Sequence, residues 1–282
     1  MILIYTIIGI LLILCILIFI SNNMLKITEY RVVNSKIPKA FNNLNIVQIS
    51  DTHSKMFGKD NNKFIKLVEN ANPDIIVMSG DIIAGNIGDI EKAIEMFKPL
   101  YKKYPVYYAL GNHELMLDEN KLKQYLKMLE ENGVKVLIDN SSYYEKNGEK
   151  IRIIGINHDE NVKIESNSLD KNENFVKIIK EKFNDINKDE YNILIAHDPE
   201  NFKLYEKIKP DLIFSGHDHG GLVRFGKIAL LSPRKKFFPK YAYGKKTIND
   251  TTMITSSGIG NARIPVRLFN RPEIVKVILK NE

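Results

Sequence analysis

The stretch "DLIFSGHDHGG", residues 211–221, runs from an apolar segment into two histidines one residue apart and then a glycine pair. The segment "DLIFSG" (211–216) has the length and composition of a buried strand bounded by turn residues. His217 and His219 therefore stand at the C-terminal end of a strand, the edge where ligand sites form in open α/β sheets. The chain has 6 histidines in all, so two of them within three positions call for a chemical reason.

Working outward, the same arrangement recurs. "NIVQIS" (45–50), "DIIVMS" (74–79), "VYYAL" (106–110) and "YNILIAH" (191–197) read as strands, each followed by a metal-competent side chain: Asp51, Asp81, Asn112 and His197. Between them, residues 61–71, 89–100, 118–132 and 173–184 carry helical periodicity. Two short strands fall near 142–156, and "TTMITSS" (251–257) and "EIVKVIL" (273–279) make the tail strand-like. Alternating strands and helices, with strands later, indicate an α/β fold whose helices cover mixed sheets. Five strands deliver polar residues to one rim.

Composition sets broad limits. The 282 residues are 44% hydrophobic and 27% charged, with a net charge of +7. That suits one large domain or two small ones with a proper core. The basic residues are dispersed, so basicity fits an anionic substrate or a membrane surface as well as nucleic acid. Cys15 is the single cysteine, so the fold needs no internal disulfide.

The first stretch, "MILIYTIIGILLILCILIFISNN", differs from everything after it. No charged side chain precedes Lys26, and Ile2 to Ile20 would span about 29 Å as a helix, close to the hydrocarbon thickness of a bilayer. A cleaved signal peptide lacks its basic start and small-residue cleavage site here. A lipoprotein signal is disfavoured by Leu14 before Cys15. A core helix is at odds with apolar character all round. The reading is a membrane anchor over 1–25 and a globular domain over 26–282. Lys26, Arg31, Lys36 and Lys39 follow the span, which by the positive-inside rule favours the cytoplasmic over the extracytoplasmic side for the domain.

Four short motifs, "SDTHS" (50–54), "SGDII" (79–83), "LGNHE" (110–114) and "SGHDHGG" (215–221), occur in this order with "IAHDP" (195–199) between the last two. Together they resemble the calcineurin-like metallophosphoesterases, whose blocks read D-x-H, G-D, G-N-H-[ED], H and G-H-x-H. Five of the six histidines fall on the pattern, and the resemblance runs from about residue 44 onward. It implies a four-layer α/β/β/α sandwich and two divalent transition-metal ions, Mn, Fe or Zn. Imidazole and carboxylate donors suit those metals. By the resemblance, Asp51, His53 and His219 bind one ion, Asn112, His197 and His217 the other, and Asp81 bridges both. The loop after the strand must then divide His217 from His219, with Gly216, Gly220 and Gly221 allowing the turn.

Two divalent cations, two carboxylates and a bridging hydroxide leave about +1, which attracts phosphate. The hydroxide would attack phosphorus in line, and His113 resembles the family histidine that assists the leaving oxygen. One position departs from the pattern. Relatives with G-D-x-x-D carry an acid that often orients that histidine, whereas "GDIIAGN" has Ala84, so either leaving-group assistance is weaker or another acid such as Asp159 substitutes.

"FFPKYAYGKK" (237–246) and "SSGIGNARIPVRLFNRPEI" (256–274) resemble the tail of a bacterial membrane-associated subfamily. Some of its members are linked with UDP-diacylglucosamine hydrolysis and others with phosphodiesterase activity. The basic–aromatic segment 234–246 suits an anionic membrane interface, and equally a solvated loop with its rings packed inward. Nucleic acid is the weaker partner for it. Arg267, and after it Arg263, are candidate substrate-phosphate contacts or else surface residues flanking a strand, and His158, outside the motifs, reads first as a solvated loop histidine and second as a candidate at the substrate mouth. The expected function is a membrane-anchored phosphoesterase cleaving a phosphodiester or pyrophosphate of a lipid- or nucleotide-linked substrate. Alternatives are a phosphomonoesterase, a protein phosphatase included, or a catalytically impaired metal-binding membrane scaffold.

Overall fold

A computed structural model describes residues 1–85, 88–157, 177, 183, 187, 189–262 and 265–282. Two six-stranded sheets form its centre. In chain order the strands are β1 (Lys26–Val33), β2 (Asn45–Ile49), β3 (Ile75–Ser79), β4 (Val106–Ala109), β5 (Val134–Val136), β6 (Asn140–Lys146) and β7 (Glu149–Ile156). They continue with β8 (Asn192–Ala196), β9 (Leu212–Ser215), β10 (Val223–Phe225), β11 (Ile228–Leu231), β12 (Gly244–Ile248), β13 (Thr251–Thr255) and β14 (Glu273–Lys280). The first sheet has the order β1-β14-β2-β3-β4-β5 and the second β12-β13-β9-β8-β7-β6, while β10 and β11 form a separate hairpin. Each sheet is mixed: β2 to β5 run parallel, as do β7, β8, β9 and β13, with antiparallel pairings at β14–β2, β12–β13 and β6–β7.

Period-2 alternation of apolar residues assigns the layers. On β3, Ile75 and Val77 face the second sheet, while Ile76 and Met78 face the helices. On β8, Ile193 and Ile195 join the same inter-sheet core, while Leu194 and Ala196 turn outward to pack with Phe183, Phe202 and Tyr205. Strands buried on both faces read as continuous Ile/Val runs. Helices α2 (Asn62–Asn70), α3 (Ile90–Lys103) and α4 (Glu119–Glu131) cover the first sheet. Asp89 and Asp118 cap α3 and α4, accepting from the N–H groups of Lys92 and Lys121. The result is a mixed α/β sandwich with two sheets face to face. The helix expected over 173–184 falls mainly outside the described residues.

The site depends on how the two sheets are joined. Gln48, buried on β2, donates from Nε2 to Ser79 Oγ on β3 and to the Ser215 carbonyl on β9, both at 2.8 Å. His197, just past β8, meets the Ser79 carbonyl through Nδ1 at 2.6 Å. These contacts fasten the C-terminal ends of β2, β3, β8 and β9 into one rim.

Helix α1 (Ile2–Asn23) stands apart, its side chains exposed from Ile2 through Ile16. It is long and apolar enough to cross a membrane. The stretch after it is not a loose basic linker. Lys26 begins β1, which pairs in parallel with the last strand from Lys26↔Glu273 to Val33↔Lys280.

The inter-sheet core makes a stability prediction. Ile195 is fully buried there, so Ile195→Ala should destabilise the protein by about 3 kcal/mol. Val33→Ala, at a half-exposed edge position, should cost less than about 0.5 kcal/mol. Thermal melts of the full chain in detergent measure both.

Candidate functional site

Each candidate side chain sits on the first turn after a strand, and the backbone there is unusual. Asp51, His53, Asp81, His217 and His219 all have positive φ, between 45° and 69°. Left-handed backbone costs a non-glycine residue roughly 1–2 kcal/mol, so the surroundings must hold it. They do so with cross-loop hydrogen bonds. The Asp51 N–H donates to the Gly80 carbonyl at 3.0 Å and the His53 N–H to the Asp81 carbonyl at 3.1 Å. The His217 N–H donates to Asp51 Oδ1 at 2.9 Å, and the His113 N–H to Asp81 Oδ1 at 2.8 Å. Gly216 is needed for closeness rather than for a turn: a Cβ there would collide with Ser50 Oγ and the Asp51 carboxylate.

The structure gathers these side chains into overlapping groups. Asp51, His53 and His219 form one, Asp81, His197 and His217 a second, and His53, Asp81 and His113 a third. Within each group the ligand atoms lie no more than 4.8 Å apart. His53 Nε2 is 3.1 Å from His219 Nε2, and the two rings stack. Asp81 Oδ2 is 3.1 Å from His197 Nε2 and 3.9 Å from Nε2 of both His53 and His113. Asp51 Oδ1 lies 3.7 Å from His219 Nε2. Thus His217 and His219 enter different groups, and Asp81 belongs to two. Asn112 sits between Gly111 and His113, and its Oδ1 is buried with no hydrogen-bond partner among the described residues. A buried orphan acceptor beside converging imidazoles and carboxylates is a mixed N/O donor set that fits transition-metal ions.

Burial and mutual charge set the proton inventory of the bare residues. Burial drives Asp51 up to about 7, with His197 and Ser50 opposing and Asp81 adding to the rise. Burial also pushes Asp81 up, but His197, His53 and His113 outweigh it and hold the carboxyl well below its usual range. Burial lowers His53 to about 4 and takes His217 and His219 well below an ordinary imidazole. His197 resists burial because Asp81 and Asp51 raise it to about 10. His53, His217 and His219 are therefore neutral and able to bind metal, while His197 holds a proton that metal would displace.

Three supports behind the rim went unread in the sequence. Glu114, fully buried, accepts the N–H groups of Asp81 (2.8 Å), Gly111 (2.7 Å), Ile82 (2.8 Å) and Ile83 (3.2 Å), clamping the loops after β3 and β4. Its place in "GNHE" was the available signal. Arg234 forms a bidentate pair with Asp198 at 2.8 and 3.0 Å and a further bond to Asp218 at 3.0 Å, tying together the neighbours of His197 and of the histidine pair. Arg267 and Asn270 both donate to the His219 carbonyl, and Arg267 NH2 lies 3.2 Å from His219 Nδ1.

Several expected contacts fall elsewhere. Arg267 is 2% exposed and spends its guanidinium on His219 and the Gly260 carbonyl, so it lies behind a candidate ligand rather than on substrate phosphate. The segment 234–246 is not one membrane-facing strip. Arg234 is consumed by Asp198 and Asp218, Lys236 pairs with Glu200, Tyr241 packs on Phe202, and Tyr243 lies under Arg224. Phe237 and Phe238 remain exposed. His158, Asp159 and Arg263 lie outside the described residues. At the Ala84 departure, His113 Nδ1 is buried with no hydrogen-bond partner among the described residues.

A metal-competent rim at the strand ends of two packed sheets defines the class of metal-dependent phosphoesterases. Residues 44–221 match the calcineurin-like phosphoesterase family, and the chain belongs to it. It is 30% identical over 264 residues to the uncharacterized metallophosphoesterase Cj0846 of Campylobacter jejuni, covering 93% of this chain and 66% of that one. An uncharacterized metallophosphoesterase of Aquifex aeolicus is 27% identical over 267 residues, covering 92% and 93%. A Danio rerio transmembrane protein with metallophosphoesterase domain is 24% identical over 265 residues, covering 90% and 57%. Among solved structures, the phosphopantetheinyl hydrolase PptH of Mycobacterium tuberculosis shares the fold, with TM-score 0.50 and 11% identity over 78% of this chain and 91% of that one. By family the chain is a metal-dependent phosphoric ester hydrolase.

Two predictions follow from the rim. At pH 7 the metal-free site holds a proton on His197 and part of one on Asp51. Metal loading should release more than one proton per chain, seen as a buffer-dependent heat, and affinity should fall as pH drops and Asp51 protonates. Glu114→Gln turns an acceptor toward a donor at the clamp, so metal affinity measured by equilibrium dialysis should drop about tenfold or more.

Proposed function

We propose that this chain is a membrane-anchored two-metal phosphoesterase that cleaves a phosphodiester or pyrophosphate of a lipid- or nucleotide-linked substrate. Asp51, His53 and His219 hold one ion, Asn112, His197 and His217 the other, and Asp81 is shared. The observation that carries the reading is that Asp81 groups with His197 and His217 on one side and with His53 on the other, while His53 also groups with Asp51 and His219, so that His217 and His219 fall in different groups. Bound metals would polarise the phosphoryl oxygens and lower the pKa of water.

The chain's own residues supply the rest. Asp81 keeps its carboxylate ionised between the two groups and fixes the His113 backbone through Oδ1. His113 is the most open imidazole of its group, with a third of its side chain exposed, and directs Nε2 toward Asp81. From there it hydrogen-bonds the leaving oxygen and gives it a proton. Among the described residues Nδ1 has no partner to fix its tautomer as an acid at position 84 would, which puts its contribution toward the low end for such groups, roughly a hundredfold. Anchoring is supported by the apolar, exposed α1 and by the Danio rerio relative, whose name describes a transmembrane protein. The basic residues after α1 support a cytoplasmic over an extracytoplasmic domain.

The test uses purified full chain. Elemental analysis should find about two transition-metal ions per chain, and a bis-aryl phosphate should be turned over in preference to a mono-aryl phosphate. Asp81→Ala should lose metal and activity together. His113→Ala should keep its metal and slow turnover about a hundredfold; unchanged turnover would remove His113 from the reaction. Preference for the monoester would favour a phosphomonoesterase, and metal without turnover a scaffold.

A further inference from the structure

Five large apolar side chains lie exposed at one end of the molecule. Phe225 (55% exposed) and Ile228 (60%) flank the tip of the β10–β11 hairpin, Phe237 (76%) and Phe238 (67%) follow β11, and Phe269 (43%) lies before β14. They form one surface. The rings of Phe225 and Phe269 are 5.0 Å apart. Val223 bridges Leu268, Leu231 bridges Phe237, and the Phe238 N–H donates to the Leu230 carbonyl. Lys227, at the hairpin tip, and Lys235 are exposed within it. Single exposed apolar residues are ordinary, but a contiguous patch with a polar rim marks an interaction surface.

What covers it follows from where α1 leaves the domain. The Phe269 N–H donates to Ser21 Oγ at 3.0 Å, and two residues later Arg271 donates to the carbonyls of Met24 and Leu25 at 2.9 and 2.8 Å. Lys55 Nζ holds the Asn22 carbonyl at 2.7 Å. The patch is thus continuous with the foot of α1. If α1 spans a bilayer, Ser21 to Leu25 lie at its boundary, and the adjoining rings and lysines come to the same level. Aromatic rings with flanking lysines suit the headgroup region.

We propose that Phe225, Ile228, Phe237, Phe238 and Phe269 dip into the headgroup–acyl boundary of the bilayer that α1 crosses, as a second, shallow membrane contact. The proposal rests on reading α1 as an anchor. It goes further by fixing which end of the domain faces the lipid. A lone anchor would let the domain swing, whereas two contacts orient it. They also hold the segment 265–271, whose Arg267 and Asn270 support His219, against the membrane surface.

The chain contains no Trp, so Phe225→Trp and Phe237→Trp each create a single reporter in the full chain. Lys123→Trp is the control, on the exposed face of α4, which packs against the far edge strand of the first sheet. Each is reconstituted into phosphatidylcholine–phosphatidylglycerol vesicles with and without brominated acyl chains. The two patch reporters should show blue-shifted emission and lose roughly half of it to brominated lipid, while Lys123→Trp is unquenched. Solvent-like, unquenched emission from vesicle-bound protein overturns the proposal. So does a blue shift that grows with protein concentration and ignores bromine, which would make the patch a contact between copies. Vesicle flotation separates the two levels. A chain that fails to float overturns the anchor reading and this inference together, while one that floats with unquenched reporters overturns the patch alone.

Discussion

Asp81 is a buried carboxylate, and much of the molecule is arranged around making it tolerable. A buried charge is costly unless it is paired and hydrogen-bonded. Its Oδ2 faces the imidazoles of His53, His113 and His197, and its Oδ1 takes the His113 N–H. Those partners come from loops after β2, β4 and β8, which belong to two different sheets. The sheets must therefore converge at one end, and Gln48 and His197 fasten them there through Ser79 and Ser215. The inter-sheet core of Ile, Val, Phe and Tyr side chains supplies the adhesion, while the polar contacts at the rim set its registration.

The frame is also stiff. Left-handed backbone at Asp51, His53, Asp81, His217 and His219 persists only where the surroundings over-determine it. Glu114 contributes by accepting four backbone N–H groups, although burial and the nearby Asp81 both push its own pKa up. Arg234 does the equivalent for the second sheet. Against the upward push of burial, its hydrogen bonds and its charge hold Asp198 low. Each half of the rim thus has a charged side chain behind it that touches neighbours of the ligand groups. Holding donors in place before a ligand arrives is what preorganisation requires.

The sequence revealed the parts whose signal is local. The Ile/Val runs of β2, β3, β4, β8 and β9 are short and end in polar residues, so both the strands and their delivered side chains were legible. β1 and β12 were not, because "KITEYRVV" and "GKKTI" are edge strands whose charged residues obscure the alternation. Arg234 was read with its basic neighbours because its partners lie 16 and 36 residues away. Asp198 and Asp218, within "HDP" and "GHDH", drew no reading of their own. Arg267 is 48 residues from His219, and nothing in its neighbourhood in sequence distinguishes a buried support from a surface phosphate contact. Long-range polar pairing, which leaves no periodicity, is what the pattern did not carry.

The family match ends at Gly221, yet the rim is unfinished there. The residues after it close the structure from three sides. Gly258 presses on the Asp51 side chain and Gly260 on the Asp51 and Thr52 backbone, so closely that no Cβ fits at either position. Arg267 and Asn270 hold His219 from behind. Glu273 opens β14 by accepting from the Ser257 N–H at 2.9 Å and from Thr28 Oγ1 at 2.5 Å, and it pairs with Lys26 at 3.1 Å. β14 then inserts between β1 and β2, so among the described residues the strand that follows α1 pairs with the sheet that bears Asp51 and Asp81 through the tail strand. Residues 256–262 and 265–280 thus join the metal-binding motifs to the foot of the apolar helix, beside the direct contact of Lys55 with Asn22. Changes in this tail can therefore adjust how the rim is held and how the domain meets α1 without altering a single candidate ligand.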